Sequence, residues 1–118
     1  MSVFEYLDYR LGLRAVLERR KKDTPGFTQT RLAEQSGIKN TYLTNVLKGR
    51  GNFNSDQIFA LAKNLKLNRL ETQFLFVLRE LDQTLMPERR LLLQSELQAL
   101  RQKAEKTEHR IATQVADD

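Results

Sequence analysis

Phe27-Thr28-Gln29-Thr30-Arg31-Leu32-Ala33-Glu34-Gln35-Ser36-Gly37-Ile38, followed without a gap by Lys39-Asn40-Thr41-Tyr42-Leu43-Thr44-Asn45-Val46-Leu47-Lys48-Gly49, decides the fold of this 118-residue chain. Thr28 is suited to cap a helix whose Leu32 and Ala33 face inward. Gly37 supplies the left-handed residue that stops this helix near Ser36. A second helix is predicted from about Asn40 to Lys48, with Gly49 ending it. Its Leu43, Val46 and Leu47 stand at i, i+3 and i+4 and form one buried stripe. The small Ala33 lets the two helices approach closely, while Ile38, Leu43 and Val46 set their angle. Such a pair projects the start of its second helix away from the core, and a DNA major groove admits one helix.

The flanks extend the helical pattern. A first helix is predicted over roughly Val3 to Lys22, burying Phe4, Leu7, Leu11, Val16 and Leu17. Its basic end, Arg19-Arg20-Lys21-Lys22, suits either a helix dipole or contacts to phosphate. Downstream, Asn54-Ser55-Asp56-Gln57 has the layout of a capping box and opens a helix with Ile58, Leu61, Ala62 and Leu65 inside. Asn68-Arg69-Leu70-Glu71 repeats that layout before Phe74-Leu75-Phe76-Val77-Leu78 and Leu81, an apolar run wide enough to be covered on more than one side. Pro87 opens a last, long helix. There Leu93, Leu97, Leu100, Ala104, Thr107 and Ile111 recur in steps of four and three. Such a seam serves a coiled coil or a helix folded back on its neighbour.

The combined spacing of Thr28-Gln29, Leu32-Ala33, Gly37-Ile38, Leu43, Val46, Gly49, Ile58, Ala62 and Leu65 resembles the lambda-repressor-like, Xre-type helix-turn-helix family over about residues 27–67. More narrowly, Tyr42 to Gly49, Asn52 and Ala62-Lys63-Asn64-Leu65 resemble a bacterial helix-turn-helix family whose members usually carry a longer C-terminal domain. The fold class expected is all-α: a five-helix lambda-repressor-like helix-turn-helix domain followed by a long C-terminal helix. The expected division is a DNA-binding domain at 1–67 and a helical extension at 68–118 for dimerisation or partner binding.

Charge agrees with a nucleic-acid partner. Residues 1–67 hold twelve Lys and Arg against six Asp and Glu, whereas the remainder is −1, so the whole +5 excess comes from the first half. A positive field confined to one module is what a phosphate-binding surface requires. Double-stranded DNA is therefore the expected partner, read in the major groove by the helix around Asn40–Lys48.

Base contacts are expected from Asn40, Thr41, Tyr42 and Asn45, since Asn pairs well with adenine. The resemblance places Asn40, Thr41 and Asn45 at the family's base-contacting positions, and Gln29 at one that touches phosphate or braces the reading helix. Asn40 also stands where it can cap its helix. Tyr42 has three open roles: thymine methyl, phosphate, or packing over the rim of the helix. Phosphate contacts are expected from Thr28, Gln29, Lys39, Thr44, Lys48, Arg50 and Asn52. No Arg occurs between Asn40 and Lys48, so the site is expected to lean to A·T pairs. A dimer or partner interface is expected at Phe74, Leu78, Leu81, Leu93, Leu97 and Leu100.

Other classes find no footing. The chain has no cysteine, and its lone His109 lies in a polar tail without a nucleophile beside it. The carboxylates lack metal or acid/base spacing, and no glycine-rich phosphate loop occurs. Neither an enzyme nor a cofactor is expected. No run of about 18 apolar residues suggests a membrane span, so the expected location is the cytoplasm, on the nucleoid. The expected function is a dimeric, sequence-specific transcriptional regulator. The rivals are a protein-interaction module, antitoxin-like or adaptor, working through the Leu-rich last helix, and a low-specificity nucleoid-type binder.

Overall fold

The computed structural model describes residues 2–117, with side chains described up to residue 107. Six α-helices follow a 3-10 turn at Val3–Glu5: α1 Tyr9–Asp23, α2 Gln29–Ser36, α3 Asn40–Leu47, α4 Ser55–Asn64, α5 Arg69–Gln83 and α6 Pro87–Asp117. No strand occurs among the described residues.

The helix ends follow from local chemistry. The Thr28 hydroxyl accepts from the Arg31 amide at 3.1 Å and caps α2. Full capping boxes start α4 at Asn54/Gln57 and α5 at Asn68/Glu71, each with reciprocal bonds of 2.8–2.9 Å. Gly37, at φ 68°, carries the left-handed turn between α2 and α3, where any side chain would be strained. The amides of Gly37 and Ile38 then satisfy the last carbonyls of α2.

The first helix starts later than its periodicity predicts. Asp8 accepts the Arg10 amide at 2.7 Å and sets the start of α1 at Tyr9. The preceding turn is held instead by α6, whose Arg101 Nε donates to the Phe4 carbonyl at 2.9 Å. Because Leu7 precedes this cap, it leaves the helical stripe and is 77% exposed; Leu11 is exposed as well. Val3 replaces them, packing where Gly12 has no side chain. A Cβ there would meet Val3 Cγ2 at 3.1 Å.

One buried cluster joins Leu13 and Leu17 of α1, Leu32 and Ala33 of α2, and Leu43, Val46 and Leu47 of α3 with Ile58, Leu61 and Ala62 of α4 and Phe74, Leu75 and Leu78 of α5. It crosses the expected division at residue 67 and reaches Leu97 of α6. At the end of α2, the Asn64 side chain donates to the Ser36 hydroxyl at 3.0 Å, so α4 also clasps α2 through a polar pair.

The seam of the last helix folds back on α5. Phe74, Leu78, Leu93, Leu97 and Ala104 are buried within the single chain, and Leu81 and Leu100 are half-buried against the same core. The expected interface at Phe74, Leu78, Leu81, Leu93, Leu97 and Leu100 is thus occupied by intramolecular packing. Its physical reason is the apolar width of α5, which needs cover on two sides. Arg89 ties the pair at the rim through a 2.6 Å bond to Glu80, and Arg90 donates to the Thr84 carbonyl at 3.0 Å. Thr107 is exposed, with its hydroxyl donating to the Lys103 carbonyl. The Ile111 and His109 side chains lie outside the described residues.

Leu97→Ala is expected to lower stability by about 2–5 kcal/mol through lost packing in this fold-back. Thermal unfolding checks it. The loss should be the same across about a hundredfold range of protein concentration, whereas a growing loss on dilution would place Leu97 between chains.

Candidate nucleic-acid interface

The outer side of α3 is built on a fixed polar frame. Its inward stripe is buried, so Asn40, Thr41 and Asn45 face solvent, with Thr44 half-buried between α3 and α2. Gln29, the first residue of α2, donates from its Nε2 to Asn40 Oδ1 at 3.0 Å and to Thr44 Oγ1 at 2.7 Å. Asn40 Nδ2 in turn donates to the Thr30 hydroxyl at 3.3 Å. These bonds hold α3 against α2 by polar contacts on its outer rim as well as by the core behind.

Each residue expected at the interface has a definite place. Asn40 does not cap α3: Lys39 stands at the cap without a side-chain bond, and the Asn40 amide crosses to α2. Tyr42 is 40% exposed, and its ring meets Phe53 edge-on with centroids 6.0 Å apart. Its hydroxyl donates to the Asn52 carbonyl, so among its three open roles the rim-packing one is realised in the free protein. Thr28 faces solvent while capping α2. Lys39, Lys48 and Arg50 are exposed and enter no ion pair among the described residues. Asn52 differs from them, because its Oδ1 accepts from Tyr9 Oη at 2.9 Å and from the Arg10 guanidinium. That side chain is engaged inward, and at Asn52 only the amide and the outer edge remain for a phosphate.

Two sets of residues escaped the sequence reading. Arg14 lines a cleft of about 130 Å³ with Gln29, Thr44 and Lys48, and adds a cation beside the reading helix. Its signal was its position one residue past the buried Leu13, on the margin of the stripe that crosses α3. Glu18, also in that cleft, pairs with Lys21 at 3.1 Å. The second set is Tyr9, Arg10, Arg79 and Asp82. Tyr9 Oη accepts the Phe53 amide at 3.1 Å, Arg10 Nε donates to the Gly51 carbonyl at 3.0 Å, and Arg79 Nε donates to the Phe53 carbonyl at 2.6 Å. Arg10 also donates two hydrogen bonds to Asp82, Nη1–Oδ1 3.3 Å and Nη2–Oδ2 3.1 Å. No local pattern links residue 10 to residue 82.

The basic run that ends α1 lies mostly elsewhere. Arg19 pairs with Asp23 at 3.7 Å, and Arg20 lies over the Phe27 ring, 5.4 Å from its centroid. Arg20, Arg31, Lys63 and Lys66 line a concavity of about 340 Å³ where α1 and α4 end. Cations there complement two helix C-termini. Among the described residues, no group of three His, Cys, Asp or Glu is placed to hold a metal ion, and no helix is long and apolar enough to cross a membrane.

Residues 17–71 match the model of a protein family described as helix-turn-helix. No curated protein and no solved structure matches the chain.

Burial pushes the Tyr9 phenol above its ordinary value near 10, against the lowering effects of its bond from Phe53 and of Arg10. A raised pKa favours the neutral, donating phenol in the folded state. Its contribution to stability is full below the unfolded pKa and is lost as pH rises through the folded one. Stability is expected to fall above pH about 10 more steeply in the native chain than in Tyr9→Phe, as read from denaturant midpoints against pH.

Proposed function

We infer that this chain, whose residues 17–71 match a helix-turn-helix family model, is a lambda-repressor-like, Xre-type protein and a sequence-specific, double-stranded-DNA-binding transcriptional regulator. The observation that carries the reading is the outer face of α3. Asn40, Thr41 and Asn45 are presented there on a frame held by Gln29, and the exposed cations Lys39, Lys48 and Arg50 flank them. Asn and Thr suit the adenine and thymine edges of the major groove, and the cations suit the phosphates on either side. Tyr42 completes the base-reading set at the rim, next to thymine methyls. Thr28, Gln29, Thr44 and the edge of Asn52 join the phosphate set, with Arg14 added to it.

Two such domains on an inverted repeat give the expected working form, a homodimer with half-sites about one helical turn apart. The surface that supports pairing is the α5–α6 corner, where Leu85 is 95% exposed and Met86, Leu91 and Leu92 are exposed with it. Contiguous exposed leucine and methionine favour cover by another chain. The same corner supports a second reading, in which it holds a separate protein in an antitoxin-like or adaptor role. The bacterial cytoplasm, on the nucleoid, is the setting proposed for both.

Selection from random duplex DNA at near-physiological salt tests the reading. An A·T-leaning inverted repeat is expected. Recovery without sequence preference would instead indicate a nucleoid-type binder, and no recovery by folded protein would overturn DNA binding altogether. On the selected site, Asn45→Ala should cost about 1–3 kcal/mol and relax preference at one position per half-site. Lys48→Ala should weaken all sequences alike and reduce the salt slope by about one. A consensus of G·C pairs at the contacted positions would defeat the A·T assignment. Sedimentation of the free chain decides between a homodimer and a monomer awaiting a partner.

A further inference from the structure

We propose that Arg10, held by Asp82, is a positioning residue for DNA recognition: it fixes the loop between α3 and α4, and through Asn52 it fixes Tyr42 on the reading helix. The inference rests on the DNA-binding reading above, and it assigns a role in recognition to segments on both sides of the matched residues 17–71.

The loop Gly49–Phe53 has little of its own to hold it. Residues 49–52 are exposed, and Gly49 and Gly51 sit at φ 92° and 105°. Only Phe53 is buried. From Gly51 onward, four of its polar groups are held by side chains of α1 and α5. Arg10 Nε takes the Gly51 carbonyl, Tyr9 takes both the Asn52 side chain and the Phe53 amide, and Arg79 takes the Phe53 carbonyl. Tyr9, Arg10, Arg79 and Asp82 all lie outside residues 17–71. Within that stretch, the reading helix contributes Tyr42, whose hydroxyl donates to the Asn52 carbonyl.

Arg10 is the node of this set. Its side chain is 12% exposed, and its guanidinium reaches Gly51, Asn52, Asp8 and both oxygens of Asp82. The paired bonds to Asp82 fix the plane of the guanidinium, which a single contact would leave free to rotate. Asp82 stands near the end of α5. The orientation of a residue on α1 is therefore set from α5 and is delivered to the loop beside α3. The Gly51 carbonyl and the Asn52 side chain are thereby held, and Arg50 and Tyr42 start from one geometry when they meet DNA. Preorganisation of this kind raises affinity for the matching site by removing the cost of ordering the loop on binding.

Asp82→Asn separates positioning from electrostatics because the two predict opposite signs. Removing an acid near a DNA-binding face strengthens attraction to phosphate, whereas loosening Arg10 weakens recognition of the selected site. Affinity for that site is expected to fall by about tenfold, with affinity for unrelated duplex unchanged or slightly higher. Arg10→Lys keeps the charge but lacks the planar fork, and it should show the same selective loss. Leu97→Ala serves as the stability control, since it lowers the unfolding midpoint without touching the loop and should keep its selectivity. In the free proteins, amide hydrogen exchange at Phe53, whose N–H donates to Tyr9 Oη, should speed up in Asp82→Asn and stay slow in Leu97→Ala. If the native chain selects a site but Asp82→Asn binds it equally or more tightly, with loop exchange unchanged, the positioning role is overturned. If the native chain selects no site, the DNA-binding reading fails instead, and the positioning role falls with it even where the exchange result holds.

Discussion

A helix of eight residues does not persist in water alone, because the cost of nucleation exceeds what two turns return. α3 has this length, and α2 matches it. Every property of the reading surface therefore depends on burial of Leu43, Val46 and Leu47 against α1 and α2, where each is under one-tenth exposed. That burial fixes which side of α3 is left outside. With three of eight positions turned inward at i, i+3 and i+4 spacing, the outward positions follow from helix geometry. Gln29 then converts a packed helix into an oriented one, as its amide joins side chains one turn apart on α3.

The parts of this architecture legible in the sequence are those whose cause lies within four residues. The Thr28 cap, the Gly37 turn and the two capping boxes are each written in adjacent residues, and all four form as expected. The start of α1 was less legible because apolar spacing from Phe4 to Leu17 continues smoothly through Asp8. The cap at Asp8 overrides that spacing, and Leu7 is left in solvent. The last helix shows another limit. Steps of four and three define a stripe but not what covers it, since α5 of the same chain and a second chain present similar apolar surfaces. The width of the apolar run in α5 showed that it needs cover on more than one side, but either kind of cover meets that need.

The candidate site divides in the same way. Asn40, Thr41 and Asn45 were legible as an outward face because the buried stripe is local. Asn52 was assigned to phosphate by its place in the loop, yet its side chain answers to Tyr9 and Arg10 across more than forty residues of sequence. Arg14 was visible only as one of twelve cations, and its value comes from the crossing of α1 over α3. Formal charge marks which half of the chain is basic, but not how each of its cations is engaged. Arg19 and Lys21 are paired along α1 itself, and Arg20 lies over an aromatic ring.

The chemistry of position 10 explains why a guanidinium is found there. The acceptors around it are the Gly51 carbonyl, the Asn52 side-chain oxygen and two carboxylates, arranged around one plane. Arg carries five N–H donors in a fixed fork, while Lys carries three on a single freely rotating nitrogen. Burial disfavours a charge at this depth, but the bond donated to Asp82 and the nearby phenol and carboxylates more than offset it, so the Arg10 pKa is raised and the cation is secure. A neutral donor would lose Asp82, and a shorter cation would lose either the loop or α5. The groups that hold the α3–α4 loop are therefore a constraint on α1 and α5 as much as on the helix-turn-helix itself. A segment cut to the matched residues would lose the side chains that fix this loop, along with the part of the core that α1 and α5 supply.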